Sequence, residues 1–467
     1  MRLTNVLGIT GLAAGILLAA CGGSAAAPVS GGAGSNPAPA SPAAAPANPA
    51  STAAAPAPPA TGKTVEISLH YPVGVSGPLA KIIEGYMTEF SKQNPDVKVT
   101  PVFDGDYVST IAKVLQLAQA GTPADVAIVN AAGIYSMLDA DAVIPLDDLI
   151  AKSGGDSMTK DFFPAFMQNS QQGGKTWSLP WQRSTLVMYY NRDMFRQAGL
   201  PDKAPQTWDE LIQDGQKLTQ KDAGGKVTRY GVAFPSSGTA YWEFQALAIA
   251  SGQNVFDNNA GNKVFFNAPA SVQALQFLVD LNKKYQVSPA GAVSWDDLPT
   301  QFAAGQLGII FHSTGSLTNI LKNSKFDVGV GFIPKNQQFG SPTGGGNLYI
   351  MKGIPADHQA AAWKLIQWMT SPERQAQWSI DSGYVAARQS SYDTPVLKDY
   401  TAKTPQALVA RDQLQYAQNE LGTHQMSEVQ KILSDAVQAG VTGQSAPKDA
   451  LEAAQQKAAA ILGQYKN

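Results

Sequence analysis

VEISLHYPVGVSGPLAKIIEGYMTEFSKQNPDVKVTPVF, residues 65–103, decides the fold class. VEISLHY (65–71) alternates apolar and polar residues at the period of a strand, and KVTPVF (98–103) is a second β-rich run. Between them Leu79, Ile82, Ile83, Tyr86, Met87 and Phe90 recur at helical spacing, which lays one apolar stripe along a helix over 77–93. Strand, amphipathic helix and strand in this order form the crossover unit of a parallel sheet, because parallel neighbours cannot be joined by a tight hairpin. A helix over 107–120, the buried strand ADVAIVN (124–130) and a short helix over 133–139 extend the pattern to βαβαβ.

Downstream, a second region of the same class begins with WSLP (177–180) and TLVMYYN (185–191), then a helix opening at Thr207 and the strand YGVAF (230–234). Helices follow over 240–251 and 268–284. LGIIFHS (307–313) runs as a strand into a helix capped by Ser313 or Thr314, and DVGVGFI (327–333) and NLYIMKG (347–353) are further strands. Two α/β lobes result. Ligands of such sheets bind beyond the carboxyl ends of the strands, so the loops after strands are where a site belongs.

With 44% hydrophobic residues and a formal net charge of −2, the chain is an ordinary globular protein with no concentrated basic face. Nucleic acid is excluded as a partner, since phosphate neutralisation needs such a face. At the N-terminus Arg2 precedes an uncharged apolar run, VLGITGLAAGILLAA (6–20), too short to span a bilayer but suited to the core of a secretory signal. Leu18-Ala19-Ala20-Cys21 resembles the lipobox of bacterial lipoproteins, in which the cysteine is diacylated and becomes the first residue after cleavage. Cys21 is the only cysteine, so no intramolecular disulfide is available. Residues 22–62 are almost wholly Ala, Pro, Gly and Ser and carry no charge. Such a stretch builds no core; it reads as a tether reaching up to roughly 100 Å at about 3 Å per residue.

No catalytic signature is present: no HExxH, GxSxG or P-loop, and Gly344-Gly345-Gly346 lacks the Lys-Ser/Thr that would follow in a phosphate loop. His70, His312, His358 and His424 are scattered without ligand spacing, and no metal or cofactor is expected. Asp104 and Asp106 flank Gly105 without the glutamate of a calcium loop, and the pairs Asp147-Asp148 and Asp296-Asp297 read as helix N-terminal residues. Aromatic residues instead stand in or beside Gly/Ser/Asn loops: Tyr107, Trp181, Tyr241, Trp242 and Tyr384. Each is open to two readings, core packing or contact with the apolar face of a hydroxylated ligand.

From residue 64 to the C-terminus the chain resembles family 1 extracellular solute-binding proteins of ABC importers, and among these most the glycerol-3-phosphate-binding group, with sugar receptors more distant. The motifs that carry this are FSKQNPDVKV (90–99), DGDY (104–107), VMYYNRDMFRQAGL (187–200), TWDEL (207–211), FHSTGSL (311–317), GVGFIP (329–334), TGGGNLYIM (343–351), SPERQAQW (371–378) and SGYVAARQSSY (382–392). The resemblance implies a type II periplasmic-binding-protein fold: discontinuous lobes of 64–183 with 326–374 and 184–325 with 375–467. Its hinge crossings would fall near 183–186, 322–326 and 374–379. It further implies ligand contacts at Tyr107, Ser184, Ser313, Gly345 and Tyr384, with Tyr241 or Trp242 lining the same cleft. Two positions depart from the family pattern. An expected acid is Asn130, and an expected arginine is Gln430. Arg183, beside Ser184, is the candidate replacement cation; its other reading is a surface residue at the hinge. The expectation is a monomeric lipoprotein without enzymatic activity. It captures a sugar, glycerophosphodiester or glycerol 3-phosphate for transmembrane permease subunits. An exported hydrolase and a sensory or adhesive lipoprotein are the rival classes.

Overall fold

The computed structural model describes residues 63–465. The signal segment 1–21 with Cys21, and the tether 22–62, lie outside the described residues.

Strands β1 (Val65–Tyr71), β2 (Val97–Phe103) and β3 (Val126–Asn130) run parallel, with β1 between the other two. Helix α1 (Leu79–Gln93) joins β1 to β2 and buries Leu79, Ile83, Tyr86, Met87 and Phe90, the stripe visible in the sequence. Helix α2 (Tyr107–Gln119) joins β2 to β3. It starts where it does because the Asp106 carboxylate accepts a hydrogen bond from Ser109 N at 2.7 Å, a cap that stabilises a helix by about 1 kcal/mol.

WSLP and TLVMYYN are not two strands. Leu179-Pro180 and TLVMYYN belong to one, β4 (Leu179–Asn191), whose thirteen residues are all buried. A strand covered on both faces needs no polar alternation and carries no sequence mark at its middle. Strands β5 (Val227–Ala233), β6 (Leu307–Ser313), β7 (Val328–Gly331) and β8 (Ser341–Ile350) follow, and the sheet order is β2-β1-β3-β8-β4-β6-β5. The first part of β4, Leu179–Thr185, pairs antiparallel with Leu348–Thr343 of β8; its last part pairs with β6 and with β7. One strand thus threads both halves of the sheet.

Val328–Gly331 of β7 pairs with Asn191–Met188 at the end of β4, and the chain next pairs with the start of β4 at β8. Two glycines make this possible. A Cβ on Gly329 would sit 2.0 Å from the Tyr190 ring, and one on Gly331 would sit 2.3 Å from the Ala204 Cβ.

Helix α3 (Trp208–Leu218) packs on β5, α4 (Ala240–Ala250) on β8, α5 (Pro269–Lys283) on α4, and α6 (Ala356–Met369) on β1. Helix α7 (Pro372–Ser382) brings Trp378 into a stack with Trp181, ring centroids 5.2 Å apart. Trp181 is fully buried, so of its two readings core packing is the one observed. α8 (Met426–Thr442) and α9 (Pro447–Leu462) close the chain. Among the described residues no helix is long and apolar enough to cross a membrane.

Candidate functional site

Asn130 is the last residue of β3 and Ser313 the last of β6, while Ser184 of β4 faces Gly344 of β8. Tyr107 opens α2, Tyr241 and Trp242 lie in the first turn of α4, and Tyr384 follows the left-handed Gly383 that ends α7. These residues, with Gly345 and Gln430, line one cavity of about 490 Å³ between the two halves of the sheet. A broader surface groove of about 600 Å³ beside Trp208, Phe277 and Tyr285 contains none of them.

The cavity floor is glycine for a steric reason. Gly345 has φ +94°, and a Cβ there would lie 1.8 Å from Gln182 O, so no other residue fits. A Cβ on Gly344 would lie 2.7 Å from the Trp242 indole, which packs directly on this backbone and donates its Nε1–H to Thr343 O at 2.9 Å. The Tyr384 ring stacks on Trp378 with centroids 5.7 Å apart and lies over Gly315 on its other side. The Tyr107 hydroxyl accepts from Gln182 Nε2 at 2.6 Å.

Trp295 also lines the cavity, a residue the sequence did not single out. Its indole stacks at 3.5 Å on His312, whose Nε2 is 3.1 Å from Trp295 O and whose Nδ1 is 2.8 Å from Ser316 Oγ. Burial pulls the His312 imidazole down to about 3, so at neutral pH it is uncharged, donating from Nε2 and accepting at Nδ1. His312 positions a ring rather than contributing a charge.

Arg183 does not replace the missing cation. Successive strand residues face opposite ways, so with Ser184 toward the cavity Arg183 points beneath the sheet. It is fully buried, not a surface hinge residue. Its guanidinium donates to Gly344 O (3.0 Å), Asn347 Oδ1 (2.7 Å), Asn169 Oδ1 (3.1 Å) and Phe166 O (3.4 Å), and stacks on Phe166. Four neutral acceptors compensate its burial, and it anchors the backbone under the floor.

Glu420 is the residue sequence reasoning missed. It lines the cavity with only 3% exposure, and its Oε1 accepts from the Tyr241 hydroxyl at 2.7 Å and from Asn130 Nδ2 at 3.2 Å. Burial pushes its carboxyl up to about 7, against the lowering effect of those two hydrogen bonds. It sits in AQNELGTHQ (417–425), which carries neither periodicity nor motif. Gln430 proves to be a support as well as a lining residue, since its Nε2 donates to Leu421 O at 2.7 Å. Asp106 and Asp296 stand exposed at the rim, and among the described residues no Lys, Arg or His lines the cavity. No group of three or more His, Cys, Asp or Glu among the described residues could hold a metal ion.

An α/β sheet in two halves with an aromatic, glycine-floored cavity between them is the architecture of a ligand receptor. The sequence profile of the bacterial extracellular solute-binding proteins matches residues 85–405, and the chain belongs to that family. It is 28% identical over 411 residues to the sn-glycerol-3-phosphate-binding periplasmic protein UgpB of Pectobacterium atrosepticum, covering 84% of this chain and 90% of that one. UgpB of Mycobacterium tuberculosis, solved with glycerophosphocholine, superposes with a TM-score of 0.74 at 24% identity over 86% of this chain and 99% of that one. Maltose-bound MalE3 of T. maritima gives 0.74 at 22% identity, over 85% and 100% of the two chains. The fold is theirs: α/β and two-lobed.

Proposed function

We propose that this protein is the receptor of an ABC importer, a monomer without catalytic activity that captures a hydroxyl-rich organic solute for a membrane permease. One observation carries the reading: aromatic rings and neutral hydroxyl and amide groups from both halves of the sheet converge on a single cavity with a glycine floor. Rings cover the apolar faces of a sugar or polyol skeleton while hydroxyls and backbone groups hold its oxygens. The names of the relatives, receptors for glycerol 3-phosphate, glycerophosphocholine and maltose, support the same ligand range. Residues 64–183 with β8 and α6 are proposed as one lobe, and β5 to β7 with α3 to α5, α8 and α9 as the core of the other. The lining residues named above are the proposed ligand contacts.

The test is calorimetric titration of the purified protein with sugars, alditols, glycerophosphocholine and glycerol 3-phosphate, repeated on Tyr107→Ala. Tyr107 is only partly buried at the start of α2, so truncation should weaken binding at least tenfold with little change in melting temperature. Binding that survives Tyr107→Ala unchanged would place the solute elsewhere. We further propose that Cys21 is acylated and residues 22–62 tether the receptor to the cell membrane. Cys21→Ala should then shed the protein from membranes into the soluble fraction, and retention there would refute the anchor.

A further inference from the structure

Glu420 is held more rigidly than a loop residue needs to be. Gln245 of α4 donates from Nε2 to Asn419 O at 2.8 Å and accepts from Leu421 N at 3.0 Å, clamping the backbone on both sides of it. Gln430 of α8 grips Leu421 O as well. The side chain is fixed through Oε1 by Tyr241 and Asn130. Its second oxygen, Oε2, is shielded from solvent and reached by no donor among the described residues.

A carboxylate built in this way lacks one hydrogen-bond donor. A buried charge without its full set of partners costs several kcal/mol, and the cost is offset only by a group that supplies the missing bond. The nearest buried cation does not do so: Arg183 spends its donors on Gly344, Asn347, Asn169 and Phe166. Glu420 lines the cavity, so a donor that completes its carboxylate has to come from a solute settling against it there. A hydroxyl of a bound solute satisfies it at once, since alcohols donate well to carboxylates. A phosphomonoester does the reverse. It would bring negative charge against Glu420, with the carboxylates of Asp106 and Asp296 at the rim and no Lys, Arg or His of the described residues in the lining to compensate. Like charges brought together in a partly desolvated cavity repel far more strongly than they do in water.

We infer that Glu420 is the specificity-determining residue of this cavity. Its free oxygen accepts a hydrogen bond from a solute hydroxyl, and its charge excludes phosphomonoesters, so the solute class is an uncharged sugar or polyol. This rests on the cavity being the solute site, and the experiment separates the two claims. Wild type, Glu420→Gln, Glu420→Asp and Tyr107→Ala are screened at pH 8 by thermal shift and calorimetry. The panel is uncharged monosaccharides, alditols and maltose-type oligosaccharides, with glycerol 3-phosphate and glycerophosphocholine alongside.

Wild type should bind at least one uncharged probe and bind glycerol 3-phosphate at least a hundredfold more weakly. Glu420→Gln should lose tenfold or more for the uncharged probe while narrowing the gap to glycerol 3-phosphate. Glu420→Asp keeps the charge but withdraws it, so it should lose the uncharged probe without admitting the phosphate. It also serves if the glutamine variant folds poorly. Tight glycerol 3-phosphate binding by wild type, an unaltered uncharged probe in both Glu420 variants, or silence of the whole uncharged panel would each overturn the inference. Loss of the uncharged probe in Tyr107→Ala but not in the Glu420 variants would leave the cavity as the site and reject Glu420 alone. Loss in none of the variants would reject the cavity itself.

Discussion

Arg183 and Ser184 are neighbours in sequence and opposites in role, because one step along a strand turns a side chain through the sheet. Burial lowers the Arg183 guanidinium only to about 10, so it stays charged at neutral pH and its hydrogen bonds remain charge-assisted. Arg183→Ala should therefore take a donor from four buried acceptors, of which Asn169 Oδ1 keeps its bond from Thr343 Oγ1, and leave a void beneath β8. The expected loss is about 3 kcal/mol or more, read as a lower midpoint in urea unfolding. Arg183→Lys should restore little, since a single ammonium cannot reach acceptors on two asparagine side chains and two separate carbonyls. An alanine variant of unchanged stability that has lost only ligand binding would mean the side chain faces the cleft after all. Asn130 shows the same economy of position: its Oδ1 accepts from Ala132 N at 2.7 Å while Nδ2 reaches Glu420, so it caps the turn after β3 and holds the carboxylate at once.

At the scale of elements, β4 and β8 explain why a floor of three glycines is a strand and not a flexible loop. Gly344, Gly345 and Gly346 pair with Ser184, Arg183 and Gln182 in register, and the register shifts immediately afterwards, between Gly346 and Asn347. At Gly345 a side chain would run into the backbone of β4 itself. Gly345→Ala should push β8 off β4 and cost several kcal/mol, because it combines a left-handed backbone with a Cβ 1.8 Å from a carbonyl oxygen. Gly344→Ala meets only side chains, the Trp242 ring at 2.7 Å and Ser184 Oγ at 2.9 Å. Its effect should fall on the cavity more than on the pairing. Urea unfolding of both variants beside a ligand titration checks this ordering, and equal stability of Gly345→Ala and wild type would contradict it.

For the whole molecule, the cavity is built from residues that come together only when the two halves of the sheet approach. Trp242 of α4 donates a hydrogen bond to Thr343 O of β8, and Glu420 accepts one from Asn130 Nδ2. Such contacts should form and break as the lobes hinge about β4. Small-angle scattering should show a smaller radius of gyration at saturating ligand than without it. An unchanged radius with a ligand bound would mean a rigid site.

How much of this the sequence held depends on the range of the interaction. Helical stripes and strand runs are local, so α1, α2 and β1 to β3 stand legible in residues 65–130. The motif residues Tyr107, Asn130, Ser184, Ser313, Gly345 and Tyr384 lie at strand ends, at element starts or in glycine-rich turns, which local patterning also marks. The sequence by itself therefore determined the α/β class, the family and most of the cavity lining. Tertiary structure alone decided the rest. The continuity of β4, the partner of β7, the side of the sheet that Arg183 takes, and the arrival of Glu420 beside Asn130 across 290 residues all depend on long-range packing. Side-chain facing and burial set the charge of the site, and neither is fixed until the distant segments meet.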